Sequence, residues 1–145
     1  MWPDVKNMWT EYTWDHPSLI ATYDWLPGHG LDLEIMKATT GKIWDNWRFE
    51  KCWGWDFGML AMNAARSGNP ENAVGFLLDE NLHLDDVGLV RGTTQVPTPY
   101  FPGNGGLLYA VAFMAAGWDG APDDHAPGFP SQGWKVRFEN LNPAI

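Results

Sequence analysis

Between Asp32 and Arg48 the apolar residues Leu33, Met36, Ile43, Trp44 and Trp47 recur near helical spacing, while Glu34, Lys37, Lys42, Asp45 and Arg48 fill the positions between them. Such a stripe turns one side of a helix to a core and leaves the other wet. Glu34 belongs to the wet side, with Lys37 its neighbour one turn on. The next run, FGMLAMNAAR from Phe57 to Arg66, is apolar or small nearly all round and predicts a helix buried on most sides, ended by Gly68. Asn69, Pro70 and Glu71 then supply a cap, a proline suited to the first helical position and an early acid, so a third helix is expected to about Asp79.

A shorter helix is expected from Pro17 to Trp25, stopped by Pro27 and Gly28. After a long connection from Glu80 to Gly103, the segment from about Asn104 to Ala116 (LLYAVAFMAA) predicts another helix that is apolar nearly all round. Asp119 to Pro130 is rich in Gly, Pro and Asp and reads as loop, and WKVRFE (Trp134–Glu139) alternates like a short strand with Val136 and Phe138 on one face. Half-wet helices alternating with wholly apolar ones are what two concentric rings produce, the outer facing water and the inner facing a central cavity. The expected class is therefore all-α, as a partial (α/α)6 toroid with a short carboxy-terminal β segment. A compact bundle fits less well, because its helices usually each keep a polar face.

Composition narrows the partners. At 145 residues the chain is one domain's worth, and 18 acidic against 9 basic residues give a net charge of -9. That balance argues against nucleic acid or an anionic membrane, both of which select clustered Lys and Arg. The longest apolar run, Gly105 to Trp118, is shorter than the roughly 20 residues that cross a bilayer. The start MWPDVKNMW lacks the pattern of a signal peptide, and localisation stays open. The single cysteine, Cys52, excludes an internal disulfide and reads as a small buried apolar residue. Ten tryptophans, from Trp2 to Trp134, are too many for core filling alone, and indole faces also suit the C–H faces of sugars.

The stretch KCWGWDFGM (Lys51–Met59) crowds Trp53, Trp55 and Phe57 around Asp56 just before the buried helix. In a double ring this segment delivers the chain from an outer helix to the amino end of an inner one, where unpaired N–H groups favour a carboxylate. TWDHPS and PYFPGNGG occupy equivalent places before their own helices. Asp15, His16, Asp56 and Asn104 are thus expected to converge at one end of the cavity among Trp14, Trp53, Trp55 and Tyr100. The plainer reading makes Asp15, Asp56 and Asn104 helix caps, His16 a satisfied loop histidine and the indoles packing. Asp85 and Asp86 in HLDDVG read as solvated loop residues.

No HExxH, CxxC, GxSxG or P-loop pattern occurs, and His16, His29, His83 and His125 lack ligand spacing, so no metal site is implied. Acid-rich cyclase signatures of the DDxxD or DxDD type are missing too. Glycoside hydrolysis asks for two carboxyl groups about a sugar held against aromatics, an inverting pair standing roughly 6.5–9.5 Å apart. The chain has candidates for one member and no clear second.

WGWDFGMLAMNAARSGNPENAV, PTPYFPGNGGLLYAVAFMAAGWDG and PGFPSQGWKVRFENL together resemble the carboxy-terminal part of six-hairpin glycosidase-like proteins, the α/α-toroid glycoside hydrolases related to the fucosidase and maltose-phosphorylase groups. WLPGHGLDLEIMKATTGKIWDNW resembles the segment preceding those motifs, and the likeness runs from about His16 onward. It implies a sugar-processing catalytic domain of six helical hairpins around one active site, without metal or organic cofactor, of which residues 1–145 form the carboxy-terminal part. The partners it implies are a carbohydrate substrate and either a missing amino-terminal portion or a second copy covering the exposed inner helices. In the related fucosidase group a general base precedes the GN of a late inner helix, but here Pro102 stands ahead of Gly103 and Asn104. Asp56 is then the remaining carboxylate, either the base that activates water or an anchor for sugar hydroxyls, with Trp14, Asp15, His16, Trp53, Trp55, Tyr100 and Asn104 binding substrate. The alternatives are a non-catalytic carbohydrate-binding chain and a helical scaffold whose tryptophans only pack.

Overall fold

A computed structural model describes residues 6–144; Trp2 and most of the MWPDVKNMW start discussed above lie outside them. The fold is all-α. Its helices are α1 (Met8–Glu11), α2 (Leu33–Asn46), α3 (Asp56–Arg66), α4 (Pro70–Leu77) and α5 (Phe101–Ala116), joined by loops and two single 3-10 turns. Among the described residues no helix is long and apolar enough to cross a membrane.

α3 is the centre of the molecule, and every one of its residues is buried. α4 and α5 pack against it to enclose Ala61, Met62, Ala64, Ala73, Val74, Ala110 and Met114, and Met59 and Leu60 meet Ile20, Met36 and Ile43 of the 3-10 turn and α2. Phe57, Leu60 and Met62 are wholly enclosed, each worth roughly 1.5–3 kcal/mol of transfer free energy. The approach of α5 to α3 is as close as backbone allows. A Cβ on Gly58 would stand 3.1 Å from the Gly106 Cα, and one on Gly106 would stand 3.0 Å from the Trp55 carbonyl oxygen.

The helix boundaries follow local chemistry. The Asp32 carboxylate accepts the N–H groups of Glu34 and Ile35 and so starts α2, whose outer face pairs Glu34 with Lys37 at 3.1 Å. Gly68, at φ 80°, ends α3: the Asn69 N–H reaches back to the Ala64 carbonyl at 2.9 Å and the Gly68 N–H to the Ala65 carbonyl at 3.0 Å. Within the helix Asn63 ties three pieces together, accepting from the Thr40 hydroxyl at 2.8 Å and donating to the Tyr23 carbonyl at 2.9 Å.

Several expectations are corrected. The helix expected from Pro17 to Trp25 reduces to one 3-10 turn, Ser18–Ile20, because the Asp24 carboxylate takes the N–H groups of Trp25 and Leu26 that a continuing helix would need. α5 begins at Phe101 rather than Asn104, its first turn accommodating Pro102. Asn69 precedes α4 without capping it by its side chain, which donates to the Ser67 carbonyl instead. WKVRFE forms no strand. Only isolated bridges occur among the described residues, and the segment is held by His125, whose Nε2 lies 3.0 Å from the Val136 carbonyl and whose ring stacks on Phe138. α5 is apolar all round as expected but covered on one side only: Phe101, Leu108 and Tyr109 are exposed, Leu108 by 68%.

Candidate functional site

The site grows from two loop turns that lock together. Asp15 adopts φ 65°, a left-handed conformation that Asp tolerates better than most residues, and its carbonyl accepts from the Trp47 indole at 3.0 Å and the Cys52 thiol at 3.4 Å. Its carboxylate accepts the Trp53 indole N–H at 2.6 Å. Cys52 is therefore the buried structural residue expected of it, its thiol pushed up by burial and by the Asp56, Glu50, Asp15 and Asp79 charges.

Asp56 opens α3. Its Oδ2 accepts the Trp53 backbone N–H at 2.7 Å while its own N–H donates to the Trp53 carbonyl at 3.0 Å, which closes the turn that leads into the helix. The remaining valence goes to His16, whose Nδ1 is 2.9 Å from Oδ1 and 3.1 Å from Oδ2. The Asp56 side chain is 0% exposed, against 33% for His16 and 46% for Asp15. Burial raises the Asp56 carboxyl from the usual 3.8 to about 6; the Trp53 N–H and His16 oppose the rise, and the Asp15 charge adds to it.

His16 Nε2 faces Asp15 Oδ1 at 3.7 Å, so one imidazole stands between the two carboxylates. An inverting pair, about 6.5–9.5 Å apart, keeps water in that space; here a ring fills it. Asp56 is thus shut off from solvent behind His16, and Asp15 is the more exposed of the two carboxylates.

Aromatic rings extend from this dyad on both sides. His16 lies 5.4 Å from Trp53 and 5.0 Å from Trp55, centroid to centroid. Trp53 continues to Tyr100 at 5.8 Å, and Trp55 stacks on Trp25 at 5.8 Å, which passes to Tyr109 at 6.3 Å and on to Phe113. Burial and the Asp56 charge together push the Tyr100 hydroxyl up. The structure therefore brings together Asp15, His16, Trp53, Trp55, Asp56 and Tyr100.

Two expected members sit elsewhere. Asn104 lies inside the first turns of α5 with both ends of its amide used, accepting from the Val90 N–H and donating to the Gly88 carbonyl at 2.9 Å each. It ties the long loop to α5. Trp14 is half exposed and bonded locally, its indole donating to the Glu11 carbonyl at 3.1 Å. Conversely Trp25 and Tyr109 join the row without having been singled out, because nothing local in ATYDWLPG or LLYAV marks their long-range neighbours. A second buried polar group also escaped notice: Arg66 lies between the rings of Tyr23 and Trp118 and donates to the Asp24 carbonyl at 2.6 Å. Burial pushes the Asp24 carboxyl up to about 6 and lowers Arg66.

Among the described residues no three His, Cys, Asp or Glu side chains come together as a metal ion would require. Comparison of the chain with known protein families, curated proteins and solved structures finds no match.

Proposed function

We propose that the chain forms the saccharide-facing wall of an α/α-toroid glycoside hydrolase, with His16 and Asp15 presented to the sugar and Asp56 holding His16. The observation that carries this reading is the unbroken row of rings from Tyr100 through Trp53, His16, Trp55 and Trp25 to Tyr109, centred on an Asp-supported imidazole. Indole faces pack against sugar C–H groups, and a fixed polar pair between them orients hydroxyls. The half-covered α5, whose exposed face is wholly apolar, supports a ring that further helices complete.

The burial of Asp56, with both oxygens engaged, favours a second reading of the same wall: it binds carbohydrate, and the carboxyl pair of hydrolysis lies outside this chain. One pair of measurements separates the readings. Tryptophan fluorescence titrations with methyl glycosides report binding, and aryl glycosides report turnover by the 145-residue chain. Turnover lost in Asp15→Asn and His16→Ala supports hydrolysis here, binding without turnover supports the second reading, and neither binding nor turnover defeats both.

A further inference from the structure

A concavity of about 790 Å3 lies away from the ring row, between the start of α4 and the carboxy-terminal segment. That size suits a sugar or small cofactor. Phe129 and Trp134 form one wall, their rings 5.8 Å apart, and Trp134 is 46% exposed. The wall is fixed to the core. The Gly128 N–H donates to the Met114 carbonyl at 2.9 Å, a Cβ on Gly128 would stand 2.6 Å from the Met114 Cβ, and Ala126 is buried in the left-handed region at φ 55°.

Two of the chain's nine cations, Lys135 and Arg137, line this cleft. They stand two residues apart, with Val136 between them also lining the cleft. Neither makes an ion pair among the described residues. Glu71 and Asp124 line the cleft as well but stand beyond ion-pair range of both cations. Two adjacent unpaired cations beside an indole platform select a negative group on a ring. Glu71 and Asp124 offset the two cations over the cleft as a whole, so a single negative charge placed directly on Lys135 and Arg137 suits it better than a dianion.

We propose that this cleft binds a carboxylated pyranose, its ring against Trp134 and Phe129 and its single carboxylate on Lys135 and Arg137. This site is independent of the ring row around His16, and its ligand class differs from a neutral glycoside.

The test is a titration of the 15N-labelled chain with glucuronate, glucose and glucose 6-phosphate, following the Trp134 indole N–H resonance, which Trp134→Phe identifies by its disappearance. Glucuronate should shift that resonance and bind about tenfold more tightly than glucose. It should bind no more weakly than glucose 6-phosphate, and its affinity should fall as salt rises. The double variant Lys135→Gln/Arg137→Gln alters exposed side chains and should keep the parent's melting temperature while losing that preference. Equal affinity for glucuronate and glucose, a double variant that binds glucuronate like the parent, or no shift of Trp134 would overturn the proposal. Shifts confined to Trp53 and Trp55 would overturn it too, and would leave the reading of the ring row standing.

Discussion

His16 Nδ1 lies 2.9 and 3.1 Å from the two carboxylate oxygens of Asp56, across 40 residues of chain. The contact joins the TWDHPS turn to the start of the buried helix. Removing either partner leaves the other buried or half-buried without its hydrogen bond, so His16→Ala should cost about 1–3 kcal/mol at neutral pH. A double-mutant cycle with Asp56→Asn, read by urea denaturation, should return a coupling of at least about 1 kcal/mol. Additive losses would mean that the two side chains do not interact in solution.

Asp24 predicts a pH dependence. Its carboxyl is raised from 3.8 to about 6, chiefly by burial, so the folded chain binds a proton more readily than the unfolded one. Between about pH 4 and pH 6 the native state then holds more protons, and stability from this group falls as pH rises through that window. Asn keeps an oxygen for the Trp25 and Leu26 N–H groups and carries no charge. Asp24→Asn should therefore flatten the decline, with a gain over the parent at pH 7 of at most about 3 kcal/mol and little difference at pH 4. Thermal melts of both chains across this range check it; parallel curves would contradict it.

Two glycine substitutions should have opposite signs. A Cβ on Gly58 meets the Gly106 backbone at the α3–α5 crossing, where neither helix can yield without opening the core, so Gly58→Ala should destabilise by about 2–4 kcal/mol. Gly75 lies inside α4 with open space around its missing Cβ, and Gly75→Ala should stabilise by about 0.5–1 kcal/mol through helix propensity. Melting temperatures of the two variants, measured side by side, decide both.

Asn104 separates structural anchoring from ligand contact. Its amide closes the Gly88–Val90 loop onto α5, so Asn104→Ala should cost about 1–2 kcal/mol while leaving saccharide affinity near the parent value. A loss of affinity at unchanged stability would return Asn104 to the binding face.

The helices were legible wherever packing and local chemistry agreed. The all-round apolar α3, the Gly68 stop and the Met36 and Ile43 part of the α2 stripe each follow from residues within one or two turns, whereas Leu33, expected in that stripe, is exposed and Thr40 takes a place on the dry face. The sequence misled where a side chain competed with the backbone, as Asp24 does after Ser18–Ile20, and where a pattern needed a partner, as WKVRFE did. Pro102 and Gly103 looked like a loop before a helix, yet a helix tolerates proline in its first turn, which moved Asn104 inward and away from the rings. Within the site, Trp53, Trp55 and Asp56 were legible as a cluster because they are neighbours in sequence. That His16 supplies the partner, and that its ring separates Asp15 from Asp56, depends on tertiary contacts that no local pattern encodes.

The most direct test of the account is a saccharide titration of the isotope-labelled chain that follows the indole N–H resonances of Trp53 and Trp55, with a panel of neutral methyl glycosides as ligands. The account predicts that at least one glycoside shifts both resonances, and that Trp55→Ala and His16→Ala each weaken its binding by about tenfold or more. If no glycoside moves Trp53 or Trp55 up to its solubility limit, the ring row is packing alone and the chain's sugar-facing role is wrong.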